Sequence, residues 1–234
     1  MSSLTIRAFL HRAHGPEGDV RRFWTIVMIN DHLNNVLPNW VSRNLFRDED
    51  LDRYAALSKE LLVTPTQQML EFCGGGHALV DRYSRDKPLW KAFRQAVTQR
   101  HPTLPAWQGD VRIKGYRIES IVELAVYRRI ERICPQAVRV MVQPPVRESV
   151  VQARADFGLY VRGKPTLYVE VVGTVTRDGR SVSEDAEGLR NAIEERLLRY
   201  VGMAPVEILH IDEVCDPATL TARLGQAFAR AQAL

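Results

Sequence analysis

The sequence predicts an α/β protein with a mainly helical first half and a second half in which helices and strands alternate. In the first half, apolar side chains recur largely every three or four positions, as in helices that bury one face. In the second half, short apolar segments bounded by Pro and Gly alternate with helical segments. The segment His-Pro-Thr-Leu-Pro at residues 101–105 breaks the pattern, which predicts domains over residues 1–108 and 109–234.

The first half contains one predicted strand and three predicted helices. The strand is a short segment rich in aromatic and β-branched residues, and the first helix follows an acidic run that favours a helix start. Thr64-Pro65-Thr66 indicates a break and a cap, and Pro88 opens the last helix. The strand is predicted over residues 23–29, and the helices over residues 51–62, from the break at residues 64–66 to near Gly74, and over residues 89–97.

The second half predicts seven elements in the order helix, strand, strand, strand, helix, strand, helix. The helices carry one apolar face, and the strands are short β-branched runs. The helices are predicted over residues 117–133, 183–201 and 218–231, and the strands over residues 137–142, 153–161, 165–175 and 206–211.

Composition narrows the class of protein. Apolar residues make up 45% of the 234 residues, enough for a hydrophobic core, and no apolar run approaches the roughly 20 residues that span a bilayer. The three cysteines form no CxxC pair and the N-terminus lacks the pattern of a signal peptide, so we expect a cytoplasmic protein without a structural zinc. The net charge of +4 is compatible with a polyanionic partner. The arginines of residues 128–132 fit either phosphate contacts or a solvated helix face.

Two acidic residues on neighbouring predicted strands are the candidates for chemistry. A turn over residues 162–164 would pair Val161 with Pro165 and, counted outward, would place Asp156 opposite Glu170. Adjacent carboxylates repel each other, and a hard divalent cation such as Mg²⁺ removes that repulsion. The alternative is a solvent-facing sheet surface that exposes both acids.

The flanking residues resemble a known catalytic hairpin. Ala-Asp156-Phe followed by Tyr-Val-Glu170-Val-Val-Gly resembles the hairpin of the PD-(D/E)XK (restriction-endonuclease-like) superfamily. Ser120-Ile-Val-Glu123, in the preceding helix, resembles the Ser-x-x-Glu helix found upstream of that hairpin in several branches. The resemblance covers roughly residues 112–212 and implies a core of the order αβββαβ, a mixed sheet flanked by helices.

The resemblance also implies a site and an activity. Asp156 and Glu170 would be the core metal ligands, and Glu123 would reach the same metal directly or through water. The backbone carbonyl of Val171 would be a further ligand, and Ser120 would orient Glu123 or cap the site. The implied reaction is hydrolysis of DNA phosphodiester bonds with Mg²⁺ or Mn²⁺, as in an endonuclease of a mobile element or defence system.

One residue departs from the superfamily pattern. The pattern places a lysine two residues after the glutamate, and Val172 stands there. In some branches a basic group on the following helix replaces that lysine. Three arginines of the predicted helix are available for this, namely Arg190, Arg196 and Arg199. Because arginine stays charged, it would stabilise negative charge without acting as a base.

Two other functions remain open at the level of sequence. A degenerate site would leave a DNA-binding or assembly subunit without catalysis. Alternatively, the chain is an accessory protein whose residues 1–108 dock a partner protein. Cutting both strands of a duplex needs two sites, which is compatible with a homodimer. No membrane partner is expected.

Overall fold

The computed structural model describes residues 46–84, 87–105, 111–113, 115–146, 154–181, 183, 185–198, 200 and 205–234. These residues form a mixed α/β protein with eight helices, a four-stranded mixed sheet and a two-stranded antiparallel sheet. The predicted strand at residues 23–29 lies outside the described residues. Across the described part of the chain, no helix has both the length and the apolar character needed to cross a membrane.

The chain separates into two compact units. One contains Asp81–Thr103 and the described residues before position 54, and the other contains Tyr54–Val80 and Leu104–Leu234. The second unit therefore includes residues that precede position 108. The domain division at residue 108 itself stays a prediction.

Four helices occupy the first half: α1 (Asp48–Leu61), α2 (Gln67–Phe72), α3 (His77–Tyr83) and α4 (Lys87–Arg100). The three predicted helices are confirmed, and α3 is an additional helix. The acidic first turn of α1 faces the positive end of the helix dipole, which explains why the helix begins at Asp48. A glycine turn separates α2 from α3, and Gly75 adopts a φ of 77° there.

The first unit has its own small core of aromatic rings. Phe93 stacks on Tyr83 with ring centroids 4.5 Å apart, and Phe46 meets both rings edge-on. The buried carboxylate of Asp50 accepts hydrogen bonds from Arg82 Nη1 and from the Tyr83 hydroxyl, each at 2.7 Å. Both partners of this buried charge are thus supplied within the unit.

The second half contains the strands β1 (Val111–Ile113), β2 (Tyr116–Ile118), β3 (Val138–Val142), β4 (Phe157–Val161), β5 (Lys164–Val172) and β6 (Val206–His210), and the helices α5 (Ile121–Ile133), α6 (Ala186–Leu198), α7 (Ile211–Val214) and α8 (Pro217–Ala233). The predicted order of seven elements is confirmed, with the β1–β2 hairpin and α7 added. The predicted start of the first helix is wrong, because Arg117 and Ile118 pair with β1 as part of β2. Ser120 caps α5 and fixes its start.

The four-stranded sheet has the order β3-β4-β5-β6. Strands β3, β4 and β5 are antiparallel neighbours, whereas β6 runs parallel to β5. A parallel pair requires a long crossover, and the segment that contains α6 supplies it.

The turn between β4 and β5 differs by one residue from the predicted register. Val161 pairs with Lys164 instead of Pro165. A bulge then adds one residue to β5, and the Thr166 hydroxyl donates to the Leu159 carbonyl at 3.1 Å beside it. Beyond the bulge, Phe157 pairs with Val169, so the register there agrees with the prediction.

One face of the sheet forms the main core of the second unit. Phe157, Leu159, Leu167 and Val169 are fully buried on it. Helix α8 contacts all four strands and α5, and its buried side chains include Leu224. Alternation along the strands places Glu170 on the opposite face.

Arginines of α5 bond to the end of α1. Arg128 Nη1 donates to the Leu62 carbonyl and Arg129 Nη2 to the Glu60 carbonyl. Cationic groups at a helix C-terminus satisfy its last carbonyls and favour its dipole. In this structure these two arginines therefore have a structural role.

Candidate active site

Asp156 lies immediately before β4, where the chain enters the sheet. Its backbone carbonyl accepts a hydrogen bond from the backbone amide of Gln143 at 2.9 Å, which extends the pairing of β3 with β4 by one residue. Its carboxylate Oδ2 accepts from the amide of Val171 at 2.7 Å. The side chain is 11% exposed. The strand register and this hydrogen bond fix the carboxylate beside β5.

Glu170 is nearly inaccessible, with a side chain that is 2% exposed. It follows Val169 in β5, so the pairing of Val169 with Phe157 brings it level with Asp156. Its Oε1 accepts a hydrogen bond from the Tyr200 hydroxyl, and its Oε2 pairs with Arg196. The two sequence-predicted carboxylates are therefore brought together.

Arg196 links the two carboxylates from α6. Its Nη2 donates to Asp156 Oδ1 at 2.8 Å and also pairs with Glu170 Oε2. One nitrogen thus contacts both acids, which shows that their oxygens converge on one point. Of the three arginines considered from sequence, Arg190 instead bonds to the Ala186 carbonyl of its own helix, and Arg199 lies outside the described residues.

Glu123 is held in the first turn of α5 by a reciprocal cap. The Ser120 hydroxyl accepts from the Glu123 amide at 3.1 Å and lies 2.9 Å from Glu123 Oε1, to which it donates. The Glu119 amide donates to Oε2 at 3.1 Å. The residue is only 8% exposed, so its carboxylate is oriented by the helix end rather than by solvent.

The electrostatics of the cluster favour either protonation of its carboxylates or the binding of a cation beside them. Burial raises the pKa of Glu123 to about 7, and the nearby Asp156 contributes to this. Burial and the charge of Asp156 raise the pKa of Glu170 to about 8, although Arg196 opposes the rise. The pKa of Asp156 is also raised by burial. Arg196 pairs with Asp156 and Glu170 but not with Glu123, so the three carboxylates and the guanidinium carry a net charge of −2 when all three acids are ionised.

A cavity of about 290 Å³ opens beside the carboxylates. Glu123, Glu170 and Arg196 line it together with Val171. Val172 also lines it, at the position where the superfamily pattern has lysine, and it is 8% exposed. The arrangement therefore joins acidic oxygens, a fixed guanidinium and space for a small group.

The residues fit a divalent metal in donor chemistry and in charge. Mg²⁺ prefers carboxylate oxygens, commonly takes only one or two of them and keeps waters for its other positions. Asp156 and Glu170 supply such a pair, and the net charge of −2 of the cluster matches the ion. Within the described ranges, however, no group of three or more His, Cys, Asp or Glu side chains is placed to hold a metal together. Glu123 fits contact through water better than direct ligation.

Tyr200 is the participant that the sequence analysis missed. Besides Glu170, its hydroxyl contacts the Arg154 carbonyl at 3.4 Å, and its ring packs against Tyr168 with centroids 6.1 Å apart. It lies four residues after Arg196, and the predicted helix over residues 183–201 would place both side chains on one face, although α6 ends at Leu198. That spacing was the available signal.

Comparisons of the chain with protein-family models, curated proteins and solved structures gave no match. The assignment of a function therefore depends on the residues and their geometry.

Proposed function

We propose that this protein is a metal-dependent nuclease that hydrolyses DNA phosphodiester bonds, with a core of the restriction-endonuclease-like type in its second half. The observation that carries the proposal is the convergence of Asp156 and Glu170 on one point beside a cavity that Glu123 also lines. The element order from α5 to β6 and the position of Asp156 at the start of β4 support it.

In this proposal Asp156 and Glu170 hold Mg²⁺ or Mn²⁺, with the Val171 carbonyl as a further ligand. Glu123 contacts the ion through water. A bound divalent ion supplies Lewis-acid stabilisation of the phosphate and a more acidic water.

The protein's own side chains have separate roles in hydrolysis. The oxygen of a water molecule bonds to phosphorus, one phosphorus–oxygen ester bond breaks, and the departing oxygen gains a proton from solvent water. Glu123, whose carboxylate is held beside the cavity by the Ser120 hydroxyl and the Glu119 amide, accepts the proton from the water. Arg196 stabilises the negative charge that develops on the phosphate. Arg196 thus supplies the electrostatic stabilisation that the superfamily pattern assigns to the lysine at the position of Val172. Glu123 transfers the proton.

A binding-only function is the second candidate, and the ion pair of Arg196 favours it. Arg196 contacts both carboxylates and neutralises one of their two charges. A protein that needed no ion would use the same contact as a permanent buried ion pair. Titration with Mg²⁺ distinguishes the two candidates, because a binding-only subunit shows no saturable binding that depends on Asp156.

The test is cleavage of supercoiled plasmid by the purified protein with Mg²⁺ or Mn²⁺. Asp156→Asn and Glu170→Gln keep the size of each side chain while removing its charge, and we expect each to abolish cleavage. The matched control is Glu207→Gln, which alters a buried, ion-paired carboxylate outside the site and should keep cutting. Circular dichroism of each variant checks folding. Equal cleavage by the Asp156 variant and the wild type would refute the proposal.

A further inference from the structure

We infer that the β1–β2 hairpin and Arg154 form the surface on which the phosphate backbone of the DNA lies next to the carboxylate site. The inference rests on the proposed nuclease function and names the residues that bind its substrate. The observations that carry it are the positive charge of this surface and the hydrogen bonds that fix it beside Asp156.

The carboxylate site does not by itself account for the binding of a polyanion. Its three ionised acids and Arg196 carry a net charge of −2, and a bound divalent cation raises that sum only to zero. Each phosphate of a nucleic acid is negatively charged, and basic side chains that displace its counterions supply most of the non-specific binding free energy. Positive groups beside the site are therefore needed to hold the backbone.

The hairpin presents two arginines on one outward face. Arg112 of β1 pairs directly with Arg117 of β2, so both side chains project from the same side of the ribbon, and both residues are exposed. Ile118 projects from the other side and is buried, which shows that this other side faces the protein. Two neighbouring guanidinium groups on an exposed face create a positive potential, and each matches the geometry of a phosphate.

Arg154 adds a third positive group at the same hairpin. Its guanidinium carbon lies 5.9 Å from the centroid of the Tyr116 ring, and its Nη1 donates to the Gln143 carbonyl at 3.2 Å. These contacts orient the guanidinium, although Arg154 itself is exposed. Because arginine has several N–H donors, Arg154 can keep both contacts and still donate to a phosphate oxygen.

Gln143 connects this surface to the carboxylate site. Its backbone amide donates to the Asp156 carbonyl at 2.9 Å, and its side-chain amide donates to the Arg117 carbonyl at 2.8 Å. Its own carbonyl accepts the hydrogen bond from Arg154. The hairpin and Arg154 are therefore fixed relative to Asp156.

The surface lies within a few nucleotides of the site. Arg154 precedes Asp156 by two residues, which limits the distance between their Cα atoms to about 7 Å. Arg117 precedes Ser120, the cap of the helix that carries Glu123, by three residues, and the limit there is about 11 Å. Successive phosphates of one strand are about 3.4 Å apart along the axis of a duplex, so a phosphate at the carboxylates places its neighbours near these arginines.

The first experiment measures binding of a labelled DNA duplex to the full chain by fluorescence anisotropy, with Ca²⁺ and at salt concentrations from about 50 to 200 mM. The variant Arg112→Gln/Arg117→Gln removes two positive charges. We expect its Kd to rise at least tenfold and its slope of log Kd against log salt to fall by about two, because each phosphate contact contributes about 0.9. A folded variant with an unchanged Kd and slope would overturn the inference while leaving the nuclease proposal intact.

Two further variants separate the position of the charge from its amount and from folding. Arg112→Lys/Arg117→Lys keeps both charges and should keep the wild-type slope. Arg132→Gln/Arg139→Gln removes two exposed arginines, from the last turn of α5 and from β3, and should leave the Kd unchanged. Thermal unfolding shows that each variant is folded. Equal weakening by the Lys and Gln variants of the hairpin, or by the two Gln variants, would overturn the inference.

Cleavage separates this inference from the nuclease proposal. Asp156→Asn should lose cleavage and still bind DNA, since the hairpin is intact. A wild type that binds DNA through the hairpin arginines but cuts none contradicts the nuclease proposal, and the surface then belongs to a binding-only subunit. A wild type that binds no DNA, or that binds poly-glutamate more tightly than DNA, overturns the inference, because the surface then does not serve a phosphate backbone.

Discussion

The pH dependence of stability gives a quantitative test of the buried acids. The perturbation is Glu123→Gln in metal-free protein with a chelator present. Glutamine keeps the size of the side chain, and by rotation it can still accept from the Glu119 amide and donate to the Ser120 hydroxyl. The substitution therefore removes the charge while retaining both contacts.

The magnitude follows from the pKa of Glu123. Burial, with a contribution from Asp156, raises that pKa from 4.5 to about 7, which corresponds to about 3 kcal/mol in favour of the protonated form. The native state thus binds this proton more tightly than the unfolded state does. The stability linked to Glu123 is present below pH 4.5 and is lost as the pH rises through about 7. Relative to the wild type, the variant should gain about 3 kcal/mol between pH 4.5 and 8.

The assay is urea unfolding of both proteins, followed by circular dichroism at steps from pH 4.5 to 8. Other titrating groups cancel in the difference between the two proteins, except Asp156 and Glu119, whose charges contribute to the pKa of Glu123. Glu195→Gln, at an exposed position of α6, is the control and should follow the wild type. Parallel curves of unfolding free energy against pH for Glu123→Gln and the wild type would refute the reasoning. They would show that ionisation of Glu123 does not destabilise the folded protein.

Three further predictions concern the same cluster. Mg²⁺ at about one hundred times its Kd should stabilise the wild type by about 2.7 kcal/mol, seen as a higher Tm, and Asp156→Asn should show no such rise. Arg196→Met should lower the single-turnover cleavage rate at least tenfold. Arg196→Lys should restore part of that rate, because it keeps the charge but loses the planar fork. Equal rates for these two variants would exclude a role for the charge. Ser120→Ala should lower the free energy of unfolding by about 1 kcal/mol in urea, through loss of the α5 cap. An unchanged urea midpoint would show that this cap does not stabilise the protein.

Local pattern was sufficient for much of the fold. A short turn and the alternation of strand side chains predicted that Asp156 would lie level with Glu170, and the structure places them so. The predicted pairing at the turn was off by one residue, and the bulge beside Thr166 absorbs the difference. A bulge adds one residue without a distinct composition, so periodicity alone could not locate it. The start of α5 was predicted too early, because three residues of β2 are too short to show a period.

The sequence by itself determined the kinds of element, their order and the pairing of two acids on adjacent strands, because these depend on side-chain spacing along a few residues. Only the tertiary structure decided that the candidate arginine Arg196 pairs with those acids, and that Tyr200 bonds to Glu170. Only the tertiary structure also decided how deeply the carboxylates are buried. Burial and charge pairing arise where segments that lie 26 to 40 residues apart in the chain come together in space. The crossover between β5 and β6 brings these segments together.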